Sequence, residues 1–328
     1  MSKVRFIKDF AESANEARTQ FASSFFKGDK VAIKMHMGEK DNLHFLRPKD
    51  VKPYVDVLKD LGAEPFLFDS IVMYPGGRDT VEKYLETAKE HGYTEEAIGC
   101  PIVISDDYVE VETQDMKFQV CKPLAEADGV LVLSHVKGHP CAGFGGAIKN
   151  LSMGGATKKS KGDMHSGCKP NLTGKCTVCG TCEKLCPAKS CTVKSGNFVN
   201  DDNACWGCSI CIVQCPERAL SPKVALFDDL LAQGAYATVK ASKKIFCVNI
   251  IKNVSKYCDC MSGENPIVAK DVGVLFSADP VSIDNAAVDL LDKAEGRDLF
   301  NDENHKDPKL QLGYSQDYGI GTLEYELI

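Results

Sequence analysis

Short apolar runs bounded by turn residues alternate along this chain with stretches of helical spacing. Residues 4–7, 31–35, 66–69, 102–105 and 130–133 predict strands. Residues 11–26, 48–61 and 80–91 predict helices, the last with Asp79 as N-cap and Gly92 as stop. Beyond a cysteine-rich stretch the alternation resumes, with a helix at 224–233, strands at 245–251 and 272–276, a helix at 281–291 and a last strand at 323–327. Strand–helix alternation of this kind predicts an α/β fold with a mostly parallel sheet and flanking helices.

The 328 residues suffice for a large core, and 44% apolar with 26% charged residues is ordinary globular composition. A net charge of −7 argues against a general nucleic-acid binder. No apolar run approaches the ~18 residues of a membrane span, and the first residues lack a secretion signal, so the expectation is a cytoplasmic protein without nucleic-acid or membrane partners. In a reducing compartment, sixteen cysteines point to metal or redox chemistry rather than disulfides.

Their spacing narrows the chemistry. Cys176, Cys179, Cys182 and Cys186, followed by Pro187, spell C-x2-C-x2-C-x3-C-P. Cys205, Cys208, Cys211 and Cys215, followed by Pro216, repeat that spelling. Zinc motifs usually offer separated C-x2-C pairs and have no use for a third cysteine at the same interval. The pattern resembles the bacterial two-cluster ferredoxins, in which the fourth cysteine of each run serves the other cluster. Carried over by position, the resemblance implies one 4Fe-4S cluster on Cys176, Cys179, Cys182 and Cys215, and a second on Cys205, Cys208, Cys211 and Cys186. All-cysteine ligation implies low-potential one-electron carriers, expected in an oxygen-sensitive protein of an anaerobe. Residues 191–199 predict a hairpin turning at Gly196-Asn197, and Cys191, outside both motifs, is expected to be a small buried side chain.

The economical organisation is one α/β unit (residues 1–167 and 223–328) interrupted by a ferredoxin-like α+β insert at 168–222. Only residues 162–174 look at all like a linker. G-x-G-x-x-G after the first strand, G-x-x-x-x-G-K-[ST] and G-x-S-x-G are all missing from the sequence, so nicotinamide, P-loop and α/β-hydrolase chemistry lose their support. A flavin or a further metal stays open.

A second chemical centre is expected where the strand at 130–133 runs into Ser134-His135-Val136-Lys137-Gly138-His139-Pro140-Cys141 and then Gly143, Gly145, Gly146, Lys149 and Asn150. This is the carboxyl edge of a parallel sheet, where α/β proteins bind ligands, and the three glycines could present backbone N–H groups to an anion. Lys34, His36 and Glu39, with Asn42 and Arg47, would reach the same edge. Asp163 and His165 stand just before the insert. Cys258-Asp259-Cys260 could bind a soft metal or work as a redox dithiol. Lys158, Lys159 and Lys161 are expected to form a solvated basic face.

Taken together, the ferredoxin-like run, V-A-I-K-M-H-M-G-E, S-H-V-K-G-H-P-C-A-G-F-G-G-A-I-K-N, C-D-C and S-A-D-P-V-S-I-D-N-A-A resemble the domain of unknown function 362 family with a fused ferredoxin. That resemblance brings no activity with it. His139, Gly143, Gly145, Gly146 and Lys149, followed by His165, are more distantly similar to the loop of lactate-racemase-type enzymes that holds a nickel-pincer nucleotide. That similarity implies Lys149 as cofactor anchor, His165 as nickel ligand and His139 as acid/base. The departures are a missing counterpart of the second catalytic histidine and the added cysteine module.

Three functions follow. The first is an iron–sulfur reductase in which electrons cross two 4Fe-4S clusters to a centre built from His139, Cys141, Lys149, His165, Cys258 and Cys260, with Lys34, His36, His135, Gly143, Gly145 and Gly146 binding a cofactor. Its partners would be a low-potential electron donor or acceptor protein and a small-molecule substrate, and a homo-oligomer is compatible with it. The second is an accessory electron-transfer protein, and the third a nickel-pincer-type racemase or epimerase.

Overall fold

The structure, a computed structural model, describes residues 1–194 and 196–328. Eight strands build the central sheet: β1 Ser2–Ile7, β2 Lys30–Lys34, β3 Glu64–Asp69, β4 Ile102–Ile104, β5 Gly129–His135, β6 Ile245–Ile251, β7 Gly273–Ser277 and β8 Tyr325–Leu327. Their order across the sheet is β8-β1-β7-β6-β5-β2-β3-β4. Pairing is parallel from β6 through β5, β2 and β3 to β4, and between β8 and β1. Only β7 runs against both of its neighbours. The sheet takes strands from both sides of the cysteine-rich stretch, so residues before and after it share one α/β layer.

β2 and β5 read as unbroken apolar runs because both of their faces are covered. Val31, Ile33, Leu131 and Leu133 pack with Phe21, Val51, Tyr54 and Tyr84 from the helices Ser13–Phe21, Pro48–Asp60 and Val81–Glu90. Ala32, Val130 and Val132 face the other side, against Ala147, Leu151, Ala286 and Leu291 of the helices Ala147–Gly155 and Pro280–Glu295. Burying one such aliphatic or aromatic side chain contributes about 1.5–3 kcal/mol.

Helix ends differ from expectation where a nearby side chain captures the backbone. Thr80, not Asp79, caps Val81–Glu90, its hydroxyl accepting from Lys83 N at 3.3 Å, while Asp79 pairs with Lys83 Nζ at 2.7 Å. Gly92 does follow that helix, at φ +86°. The first helix starts at Ser13 because Asp9 takes the Ala11 amide at 2.9 Å. The helix expected at 224–233 runs over Phe227–Ala241.

Residues 168–222 begin and end side by side, Pro170–Leu172 pairing antiparallel with Leu220–Pro222. Between them lie the short helices Thr181–Leu185 and Ile210–Val213 and the hairpin of Cys191–Lys194 with Asn197–Asn200. Ser195 of that hairpin lies outside the described residues. This segment has a small core of its own, Cys191, Phe198, Cys211 and Leu220. The linker expected at 162–174 is not one, since its first half belongs to the helix Lys158–Gly167.

Candidate functional site

β2, β3 and β5 end at Lys34, Asp69 and His135, and above these carboxyl ends opens a cleft of about 1090 Å³. Parallel strands leave this edge free for a ligand because their connecting loops, not their side chains, form its walls. Loops following β2, β3, β5 and β6 supply three walls, and the helix Lys158–Gly167 with Cys205 and Trp206 supplies the fourth.

The floor is an ion-pair network. Lys34 Nζ lies 2.8 Å from Asp69 Oδ1 and 2.8 Å from Asn150 Oδ1. Asp69 also accepts the Tyr84 hydroxyl. Burial opposes ionisation of Asp69, but Lys34, Lys161 and Arg78 outweigh it and hold the carboxyl below its usual range. Lys161 corrects the expected basic face. It is buried, donates to Ser70 Oγ at 2.7 Å and Ile71 O at 2.5 Å, and is pushed down to about 8 by burial. Of the three lysines Lys159 alone is exposed, and it pairs with Asp163. Glu39 accepts from Arg78 Nε at 3.0 Å and Gly77 N at 2.9 Å.

Cys258-Asp259-Cys260 is fixed to the opposite wall through its acid. Both oxygens of the Asp259 carboxylate lie 3.0 Å from His135 Nδ1, and one lies 3.0 Å from Lys137 Nζ. Burial opposes the charge, yet His135 and Lys137 hold that carboxyl well below its usual range. His135 Nε2 faces Lys252 O at 2.6 Å, so the ring is fully used within the protein rather than offered to a cofactor. Cys258 and Cys260 form a disulfide, and donor atoms of His139, Cys258 and Cys260 lie within 4.8 Å of one another. With the pair reduced, this group could bind a metal.

Three histidines face the cleft with assignable tautomers. His139 Nδ1 accepts from Cys141 N and Ala142 N, both at 3.1 Å, which leaves its proton on Nε2. His36 Nδ1 accepts from Gly38 N at 2.9 Å, and its buried Nε2 has no partner among the described residues. His165 is the reverse, Nδ1 donating to Trp206 O at 2.6 Å and Nε2 left as an acceptor. Burial pushes all three below the usual histidine range, with cationic neighbours adding to it, Arg78 at His36 and Lys149 at His139 and His165. Two neutral donors and one neutral acceptor thus share one cleft.

The helix that follows the glycine loop has its first amides bound within the protein. The amides of Ala147 and Ile148, which open the next helix, donate to Asp284 at 2.7 and 2.9 Å, and Asn249 Nδ2 adds a third bond at 2.7 Å. Asp284 comes from the S-A-D-P-V-S-I-D-N run, and burial pushes it up to about 6. The glycines make room. A Cβ on Gly146 would strike Asp284, one on Gly145 would crowd Lys149, and one on Gly143 would meet Lys306 O at 2.7 Å. Lys149 lines the cleft, makes no ion pair among the described residues, and is pushed down to about 7 by burial and then by Lys137 and Arg78. Lys34 is committed to Asp69 rather than to a cofactor.

The cysteine runs form two small cavities. Cys176, Cys179, Cys182 and Cys215 line one; Cys186, Cys205, Cys208 and Cys211 line the other, with Cys191 beside them. Backbone amides approach several of these sulfurs: Val178 N to Cys176 at 3.4 Å, Ala219 N to Cys215 at 3.4 Å, Ser190 N to Cys186 at 3.3 Å and Gly207 N to Cys205 at 3.4 Å. Two further thiols pack beside the second set. Cys191 lies in one small buried cluster with Cys211 and donates to Asn200 Oδ1 at 3.6 Å, and Cys141 lies in another with Cys208. Cys141 also lines the cleft, as does Cys260.

Cys205 and Trp206 line both the second cavity and the cleft. Gly207 makes that approach close, since a Cβ there would run into His165 O. Trp206 was not anticipated, although a lone tryptophan inside a cysteine run is a visible signal. Asp69, Tyr84 and Arg78 were missed because their roles depend on partners far away in the sequence.

The family described as a domain of unknown function (DUF362) matches residues 31–289, most of the chain. The chain belongs to the DUF362 family. No curated protein matches it. Among solved structures, this DUF362 chain is similar to a Thermotoga maritima protein known from its crystal structure, at 10% identity and TM-score 0.47 over 88% of this chain and 58% of that one. It is also similar to the lactate racemase apoprotein from Thermoanaerobacterium thermosaccharolyticum, at 14% identity and TM-score 0.38 over 77% and 51%. The chain spans little more than half the length of either protein. Likenesses this remote say nothing of chemistry. Among the described residues no helix is long and apolar enough to cross a membrane.

Proposed function

We propose that this DUF362 protein is an iron–sulfur oxidoreductase whose segment 168–222 holds two 4Fe-4S clusters and passes electrons from a low-potential carrier protein to a small-molecule substrate in the cleft. Cys176, Cys179, Cys182 and Cys215 would hold one cluster, and Cys186, Cys205, Cys208 and Cys211 the other. When bound, such clusters supply one-electron transfer at low potential. Four sulfurs around each cavity, reached by backbone amides, fit that group in donor chemistry and in the N–H···S bonds that tune it.

The observation that carries the proposal is the shared wall, with Cys205 and Trp206 belonging at once to the second cysteine set and to the cleft. Of the two sets, the second is the one that borders the cleft. Electrons would therefore run from the first set to the second, towards the cleft. There the Nε2–H groups of His36 and His139 can donate hydrogen bonds to a bound substrate, and His165 Nε2 can accept one, with all three rings neutral at neutral pH. Lys149, without an ion pair among the described residues, suits an anionic group on the substrate.

Replacing Cys205 tests the assignment. Cys205→Ser should lose about half of the iron of the anaerobically purified chain and the transfer of electrons into the cleft, while Cys179→Ser should lose the other half. Retention of two full clusters in Cys205→Ser would overturn it.

A further inference from the structure

The Cys258–Cys260 disulfide is connected to the second cysteine set by an unbroken series of contacts. Cys208 and Cys141 pack in one buried cluster, Cys141 N donates to His139 Nδ1 at 3.1 Å, and donor atoms of His139, Cys258 and Cys260 lie within 4.8 Å of one another. Cys260 lines the cleft, whereas Cys258 is buried behind it. The intervening Asp259 is held from three sides, by His135, by Lys137 and through its carbonyl by Glu39 N at 2.9 Å, which keeps the two sulfurs together whether bonded or not.

We propose that Cys258 and Cys260 are a redox-active disulfide that accepts two electrons, one at a time, by way of the second cysteine set, and hands them as a dithiol to a small carboxylate-bearing disulfide bound in the cleft. This rests on the electron delivery proposed above. The alternative use of the same atoms, as metal ligands with His139, meets an obstacle. Two backbone amides occupy His139 Nδ1 and leave Nε2 protonated, so the ring has no lone pair to give without losing those bonds.

Two electrons from the carrier protein and two protons from water in the cleft cleave the Cys258–Cys260 bond and yield two thiols. Cys260, the accessible member, attacks one sulfur of the substrate disulfide as its thiolate, and the first thiol leaves with the proton that Cys260 gave up. Cys258 then attacks the Cys260 sulfur of the mixed disulfide, its own proton going to the second thiol as the Cys258–Cys260 bond re-forms. The balance is one disulfide, two electrons and two protons in, and two thiols out. The Cys260 amide, 3.2 Å from the Cys258 sulfur, supports the Cys258 thiolate in that last step. Lys149 would receive the substrate carboxylate, and a disulfide between two small acids fits a cleft of about 1090 Å³.

The test uses the full chain, purified anaerobically, with alkylation and mass mapping before and after dithionite. Cys258 and Cys260 should resist alkylation as purified and react after reduction. The native chain should take up two more electrons than Cys260→Ser at equal iron content. Cystine and dithiobis(nitrobenzoate) are the probe substrates, and their reduction should be lost in Cys260→Ser and in Cys258→Ser separately. Alkylation of both cysteines before reduction, equal electron uptake by the two proteins, or a metal ion lost in Cys260→Ser would each overturn the proposal. Iron content keeps the two proposals apart. A full iron complement with no extra uptake overturns the disulfide alone. A chain lacking iron whose Cys258–Cys260 bond still opens with dithiothreitol, and still reduces the probes, overturns the delivery and supports the disulfide.

Discussion

In the sheet, Val31, Ile33, Leu131 and Leu133 are sealed on one face and Ala32, Val130 and Val132 on the other, whereas residues 168–222 have only a small core of their own, Cys191, Phe198, Cys211 and Leu220, and lean Cys168, Cys208 and Ile210 on the α/β part. The sheet can be held by apolar burial on both faces. A segment with so small a core needs a cross-link, and its sulfurs are gathered around two cavities where a metal group could supply one. The contrast also divides the chemistry. The α/β part offers a large cleft with fixed charges and neutral imidazoles, and the cysteine-rich part offers soft ligands at the cleft's edge.

The contrast is broken most forcefully by removing metal. An iron chelator under reducing conditions should leave 168–222 open to proteolysis while the sheet keeps its protection, because metal-binding free energy is folding free energy in a small metallo-segment. Uniform protection of the whole chain would contradict that division. Within the α/β part, Asp259→Asn should cost about 3–5 kcal/mol, as His135 and Lys137 lose a buried anion, and denaturant unfolding of the iron-loaded chain measures it.

Lys149 gives a smaller effect with a defined sign. Its ammonium sits at about 7 in the folded chain against 10.5 for a free lysine, so between those values the unfolded chain binds more protons. Stability should therefore rise with pH above about 7, by less than about 1.4 kcal/mol per pH unit, and the full penalty should stand below it. Lys149→Met should flatten that slope, seen in unfolding midpoints between pH 7 and about 9. Gly138→Ala places a Cβ against Lys256 O and should cost about 1–3 kcal/mol, sharpening the distinction between space-making and anion-binding glycines. Lys159→Ala, on the exposed face, should change stability by no more than about 0.5 kcal/mol.

The sheet was legible from sequence because its central strands are short apolar runs between turn signals, and the positions predicted for β2, β3, β5 and β6 overlap the observed ones. The carboxyl-edge location of His36, His139, Lys149 and Cys260 was legible for the same reason, since strand direction fixes where the following loop lies. Roles set by distant partners were not legible. Asp284 takes the amides of Ala147 and Ile148 just after the glycine loop, Lys161 turns inward to Ser70, and His135 is consumed by Asp259. Each depends on a contact spanning scores of residues, and no local spacing encodes it. The passing of Cys186 and Cys215 into each other's cavities is different, because a repeated local spacing carries it.

The most direct test of the account is the amount of iron and acid-labile sulfide per chain in the native protein purified without oxygen. Two cubane clusters predict about eight of each. Stoichiometric zinc without sulfide would contradict the account, leaving the cysteine sets as structural metal sites and the cleft without its source of electrons.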